Sequence, residues 1–339
     1  MPENFLTLSR EERLEALQVA ATSSGRPEHL LEKDVMVVWA VQGLFASAIG
    51  EYLVFKGGTS LSKAYGVISR FSEDVDLTYD VRQVIPDLAQ GKMPIPVSTS
   101  QADKWRDAIE ERLAAWVKDT ALPILQKHAE ATGVEVTFTV EGATLIAEYA
   151  PVAEGYGYVA PRVKLEFGAR STGEPAEVRE IKCDAADHVE LGFPVATPRV
   201  MLPKRTFWEK ATAVHVFCQR DLKGNRLSRH WHDLVRLDDA GYADAAYSDQ
   251  GLANEVADFK SKFFRFKDRA GNAIDYAAAV SGGLQLVPKD ADTLKALAAD
   301  YQKMADDGIL LGDVEPFAEL VARCRDLETH ANAKKAQGA

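Results

Sequence analysis

Asp74 and Asp76 stand two residues apart in Arg70-Phe71-Ser72-Glu73-Asp74-Val75-Asp76-Leu77, a short distance after Phe55-Lys56-Gly57-Gly58-Thr59-Ser60-Leu61. On a strand, residues two apart leave the same face. Both carboxylates therefore point one way, and Val75 and Leu77 point the other way, into a core. A pair of carboxylates on one face suits a divalent cation that works on phosphate, because Mg²⁺ takes hard oxygen ligands and shares them with substrate phosphates. Gly57 and Gly58 let backbone N–H groups approach a ligand with no Cβ in the way. Thr59 or Ser60 is expected to cap the helix that follows, which places a positive helix end where a phosphate would sit. A glycine pair alone is a turn, and Asp-x-Asp alone is a solvated strand end. Joined by a helix-length spacer they predict a nucleotidyl-transfer site, on the condition of strand–turn–helix–strand context.

The elements that must hold these residues follow from pattern. Residues 6–22 and 28–49 read as helices. The second is apolar nearly all round, from Leu30 and Leu31 to Leu44 and Phe45, so it is buried. Its Glu32-Lys33-Asp34 reads as helix N-terminal charge, with Asp34 favoured by the dipole. Residues 52–55 form a strand before the glycines. Residues 80–101 hold Pro86, Gly91, Pro94 and Pro96 and read as a long mobile loop beside the site. Residues 102–131 form an amphipathic helix that Pro123 kinks or ends. Residues 134–140, 144–149 and 162–167 alternate as half-buried strands do. From Leu202 the chain is helical: 203–220, a helix capped by Ser228, then 242–266, 291–307 and 314–333, with breaks at Gly271-Asn272 and Gly282-Gly283.

Three further sets of residues bear on the chemistry. Glu166 is the candidate third carboxylate if its strand lies beside that of Asp74 and Asp76, and a solvated face pairing with Lys164 is the equal alternative. Asp184 is a weaker rival. On two successive helices, Lys210 is a candidate triphosphate clamp and Asp233 is placed to hold it, the alternative being an ordinary helix–helix ion pair. His230 and His232 are two apart on a helix, which argues against zinc. Residues 260–269 interleave five basic residues with Phe263, Phe264 and Phe266. That mixture suits single-stranded nucleic acid, or else a helix with its phenylalanines in the core.

Bulk properties narrow the class. A chain of 339 residues with 46% hydrophobic and 27% charged residues is an ordinary globular protein of two domains. The boundary is expected near 200, giving 1–200 and 201–339. No apolar run reaches a membrane span and no leader is visible. Cys183, Cys218 and Cys324 are far apart and read as buried thiols of a cytoplasmic protein. The net charge of −11 argues against a general nucleic-acid coat. Residues 201–237, however, hold eight Lys/Arg against three acids, a local +5 that leaves −16 elsewhere. A basic island in an acidic body suits a triphosphate or one end of an RNA. No nucleophile elbow and no dinucleotide fingerprint is present.

With these residues assembled, the chain resembles the AbiEii/AbiGii family of nucleotidyltransferase-like toxins of type IV and MenT-like toxin–antitoxin systems. The likeness runs through Leu31-Glu32-Lys33-Asp34, the two central motifs, Arg205-Thr206-Phe207-Trp208-Glu209-Lys210 and Arg229-His230-Trp231-His232-Asp233-Leu234, and extends to Phe263-Phe264 and Asp275-Tyr276. The resemblance implies an α/β (α+β) fold, with a polymerase-β-like N-terminal lobe and a helical C-terminal lobe. It implies Mg²⁺, with Mn²⁺ an alternative, and an NTP substrate. A tRNA 3′ end as acceptor, a cognate antitoxin and a role in phage defence also follow from it. Carried over by motif, Lys56, Gly57, Gly58, Thr59, Ser60 and Ser72 handle nucleotide, Asp74 and Asp76 hold metal, Lys210 is the clamp and Asp233 the last motif's acid. A non-catalytic nucleotide-binding module, or transfer to a protein or small molecule, are the competing readings.

Overall fold

The computed structural model describes residues 2–72, 74–92, 94–155, 159–222, 224–312 and 314–336. Glu73 of the carboxylate motif and Lys223 of the basic island lie outside them. The chain divides into two units. One comprises 1–65, 72–94 and 105–201, and the other 66–71, 95–104 and 202–339.

Among the described residues the first unit has nine strands: β1 Leu53–Lys56, β2 Asp74–Tyr79, β3 Val136–Glu141, β4 Thr144–Tyr149, β5 Arg162–Gly168, β6 Ala176–Val178, β7 Ile181–Lys182, β8 Val195–Ala196 and β9 Arg199–Met201. Seven form one mixed sheet in the order β3-β4-β5-β2-β1-β9-β6, and β7 and β8 pair separately. β2 lies at its centre, antiparallel to β1 and parallel to β5. β3 and β4 make a hairpin, and β4 runs antiparallel to β5.

The helix Glu28–Phe45 is buried along almost its whole length, as its all-round apolar sequence requires. Its Glu32-Lys33-Asp34, read as helix N-terminal charge, is buried and bound to distant groups. Glu32 accepts from the N–H groups of Val152 (2.8 Å) and Ala153 (3.2 Å). Lys33 Nζ donates to the Ala160 carbonyl at 3.1 Å. Asp34 takes Lys63 Nζ at 2.9 Å and the Asp184 N–H at 2.6 Å. Buried charge survives only when paired or hydrogen-bonded in this way. Farther along, Trp105, Ile109 and Leu113 of the Thr99–Trp116 helix are buried. That helix runs into a π-type turn, Val117–Ala121, before Leu122–Thr132. Pro123, lacking an N–H, sits in the first turn of this last piece, where no donor is missed.

The second unit is helical: Pro203–Gln219, Arg229–Asp239, Tyr242–Ser248, Gln250–Phe263, Tyr276–Ala279, Ala291–Asp306 and Phe317–Ala336. Phe207, Trp208, Trp231 and Leu234 are in its core. The indole N–H groups are satisfied, Trp208 by the Ala246 carbonyl and Trp231 by that of Leu286. The helix expected over 242–266 is two helices, because Asp249 caps the second by accepting from the Leu252 N–H at 3.1 Å and also binds Lys204 at 2.7 Å. Ser228 precedes its helix but does not cap it with its side chain; the hydroxyl donates to Asp300 at 2.6 Å instead. Residues 66–71 join this unit through Phe71 N–H to the Ile309 carbonyl and Leu311 N–H to that of Ser69, each at 2.8 Å. All three cysteines are buried and unbridged. Among the described residues no helix is long and apolar enough to cross a membrane.

Candidate active site

β2 alternates as its sequence demands: Val75 and Leu77 are fully buried, and Asp74 and Asp76 are half-buried on the opposite face. Beside it, β1 pairs Lys56 with Asp76 and runs directly into the helix Gly57–Lys63. Gly57 has φ +80°, and a Cβ there would overlap the Asp76 carboxylate. Glycine is thus required twice over at this position, for the backbone angle and for the close approach.

Thr59 and Ser60 do not cap this helix, contrary to expectation, because both lie within it. Lys56 occupies the cap position and no side chain caps the end. The Thr59 hydroxyl donates to the Asp74 carbonyl at 2.6 Å, and that of Ser60 to the Gly57 carbonyl at 2.9 Å. Both residues are buried. Thr59 therefore ties the glycine helix to the base of the carboxylate strand, and what these two residues can offer a phosphate is backbone N–H. The far end of the same helix is anchored by Lys63, which pairs with Asp34 and, at 2.7 Å, with Asp184. Asp184 also pairs with Arg26, so this weaker rival for the third acid is committed to cations.

On the other side of β2, parallel pairing sets Asp76 opposite Glu166 and Asp74 opposite Lys164. The condition set for Glu166 is met: its strand is the neighbour, and its position shares the aspartates' face. The alternative is met as well, since Lys164 pairs with Glu166. That carboxylate, foremost by its hydrogen bond, pushes the Lys164 ammonium above its usual range. Among the described residues no three acids, histidines or cysteines converge on a point that could hold a metal ion. Asp74 and Asp76 alone supply two adjacent hard donors, which fits Mg²⁺ completed by water and substrate phosphates.

Within the second unit, Asp233 is fully buried and gathers cations. Arg70 binds it with two bonds of 2.7 Å, through Nε and Nη2. Lys210 Nζ lies 2.7 Å from Oδ2, and His232 Nδ1 lies 3.3 Å from Oδ1. Burial alone would raise the Asp233 carboxyl, but Arg70 and then Lys210 hold it well below the usual carboxylate range. Burial lowers the Lys210 ammonium, and Arg70 and Arg229 add to this against the pull of Asp233. The His230 ring is likewise pushed far below its usual value, by burial first. Asp233 holds Lys210 as expected, and the helix–helix ion pair is made. Sequence reasoning missed Arg70 as the main partner; its signal was an arginine two residues before Ser72 in the carboxylate motif.

The basic stretch 260–269 is only partly helical, since its helix stops at Phe263. Phe263 is buried, while Phe266 is exposed. Two ring faces are already covered, Phe264 by Lys260 Nζ at 4.7 Å and Phe266 by the Arg220 guanidinium at 4.6 Å. Arg265 pairs with Asp103.

The model of the AbiEii family, nucleotidyl transferase toxins of type IV toxin–antitoxin systems, matches residues 39–323. That span includes every candidate residue named above. The chain belongs to this family and is a nucleotidyltransferase of the toxin class. Membership implies a nucleotide substrate and a cognate antitoxin. Among solved structures, the chain is similar to JHP933 from Helicobacter pylori, at 15% identity over 92% of this chain and 95% of that one, with a TM-score of 0.44. It is also similar to MenT4, a nucleotidyltransferase toxin from Mycobacterium tuberculosis H37Rv, at 18% identity over 97% and 99%, with a TM-score of 0.40. No curated protein is a significant match to the sequence.

Proposed function

We propose that this toxin transfers a nucleotidyl group from an NTP to the 3′ end of a tRNA, with Mg²⁺ or, as an alternative, Mn²⁺. The observation that carries this reading is the pair Asp74 and Asp76 on one face of β2, with Gly57 packed so close that no Cβ fits. A divalent ion held there would neutralise triphosphate charge and make the acceptor hydroxyl more acidic. The acceptor oxygen bonds to the α-phosphorus, the bond from that phosphorus to the β-phosphate bridging oxygen breaks, pyrophosphate leaves, and the hydroxyl proton passes to solvent. This chain's part is positioning. Thr59 fixes the glycine helix against β2, the backbone at 57–60 faces the outer phosphates, Lys56 directly precedes that backbone, and the Ser72 carbonyl receives the Thr59 hydroxyl at 3.4 Å. Glu166 is the candidate third carboxylate. In the second unit, Lys210 is the candidate cation for phosphate and Asp233 its holder. A tRNA acceptor makes the cytoplasm the place of action.

The experiment is to incubate purified protein with each α-labelled NTP and total RNA. Label is expected in a tRNA-sized band, dependent on divalent metal, absent when RNA 3′ ends are oxidised with periodate, and absent for Asp74→Asn and Asp76→Asn variants that remain folded. Label on a protein or small molecule would replace the acceptor. Nucleotide binding with no transfer to anything would establish a non-catalytic module instead.

A further inference from the structure

The two rungs between β2 and β5 present four side-chain positions on one face: Asp74 opposite Lys164, and Asp76 opposite Glu166. Three are carboxylates and one is an ammonium. Neighbouring positions across a sheet lie about 5 Å apart, so the three acids repel unless a cation stands among them. In this structure two lysines border these carboxylates: Lys56, opposite Asp76 on β1, and Lys164, which is paired with Glu166. The Lys164 side chain is about 39% exposed, so it has room to leave. Two rungs of one sheet fix the four Cα positions, and the long side chains of Lys164 and Glu166, each 39% exposed, are free to turn.

We propose that Lys164 is the resident counter-charge of this carboxylate face, a positioning residue that an arriving divalent cation displaces from Glu166. The inference rests on the metal reading above. Before the ion binds, Lys164 keeps Glu166 turned along its own strand. When the ion binds, Glu166 is released toward Asp76, and the ammonium swings outward to the side from which a polyphosphate would come. Lys164 thereby competes with the metal. It offsets the repulsion on Glu166 in the empty site and raises the concentration at which a divalent ion takes hold.

The test measures Mn²⁺ affinity directly by calorimetry, without substrate, in wild type, Lys164→Met, Lys164→Arg and Asp74→Asn. Because the competitor is removed, Lys164→Met is expected to bind Mn²⁺ about 3- to 10-fold more tightly, a range that converts to roughly 0.6–1.4 kcal/mol. Its melting temperature should be lower than wild type in chelator and rise further on saturation with Mn²⁺. Lys164→Arg, which keeps the charge, should bind as wild type does. Equal or weaker Mn²⁺ binding by Lys164→Met, with wild type binding and Asp74→Asn not, overturns the role of Lys164 alone. Absence of Mn²⁺ binding by wild type overturns the metal reading and this inference with it. Should the methionine variant not fold in chelator, Lys164→Gln gives the same comparison with a shorter, polar side chain.

Discussion

Replacing Asp233 by Asn removes the buried negative charge that Arg70 and Lys210 share. The carboxylate is fully buried and receives both Arg70 bonds at 2.7 Å and the Lys210 ammonium at 2.7 Å. An amide keeps the volume but offers one oxygen and no charge, leaving two cations facing each other out of water. Breaking a buried ion pair from one side typically costs about 3–5 kcal/mol, a large share of the ~5–15 kcal/mol that holds a domain together. Urea unfolding of the second unit should therefore show a loss of that size for Asp233→Asn. The triple variant Arg70→Met, Lys210→Met, Asp233→Leu removes all three charges together, and apolar replacement of a buried cluster is often neutral or stabilising. It should recover most of the lost stability while transferring no nucleotide, which separates the cluster's part in folding from its part in chemistry.

Acid sensitivity adds an independent reading of the same cluster. The Asp233 carboxyl is held well below its usual range in the folded chain, so the unfolded chain binds that proton first. Its contribution is complete above about pH 4 and fades as the pH falls through the folded value. Asp233→Asn should flatten that part of the stability profile. Lys210 acts in the same sense at the alkaline end, since its folded value is lowered and stability rises as pH climbs through it. An asparagine variant within about 1 kcal/mol of wild type, with an unchanged acid limb, would refute the claim that these charges are desolvated together. It would also favour the reading of Lys210 as a triphosphate clamp over that of a stabilising helix–helix ion pair.

Two further outcomes follow from the geometry. Gly57→Ala places a β-carbon at φ +80° and against Asp76; the backbone term alone is about 1–2 kcal/mol, and NTP-dependent labelling should fall at least tenfold (roughly 1.4 kcal/mol) while far-ultraviolet dichroism is retained. Reversing charge at Lys262, Arg265 and Lys267 together should raise KM for RNA and leave KM for NTP unchanged, with a salt slope shallower by about 0.7 for each single-strand phosphate that is no longer neutralised; a variant that modifies RNA like wild type would make 260–269 ordinary surface.

Local pattern made the donors legible and left their partners hidden. The period-2 alternation of Asp74-Val75-Asp76-Leu77 fixes which side chains share a face, and the all-round apolar run after Leu30 announces a buried helix. Neither says which strand lies beside β2. The neighbour that brings Glu166 opposite Asp76 arrives only after a helical stretch and the β3–β4 hairpin, and alternation cannot rank it against other strands of equal period. The same holds for charge. Glu32, Lys33 and Asp34 look like helix-start residues because helix starts attract such residues, yet each is buried by groups more than 25 positions away. Arg70 looks like a loop arginine, and its carboxylate lies 163 residues downstream. The helix-start reading of Glu32 to Asp34 and the silence on Arg70 share one cause, a tertiary partner that no local rule reaches. A hydroxyl caps a helix only from the cap position, and Thr59 lies inside its helix. Thr59 has the Asp74 carbonyl and Ser228 has Asp300. In this chain the residues that depart from their local roles include those that tie the glycine helix to the carboxylate strand and those that surround Asp233.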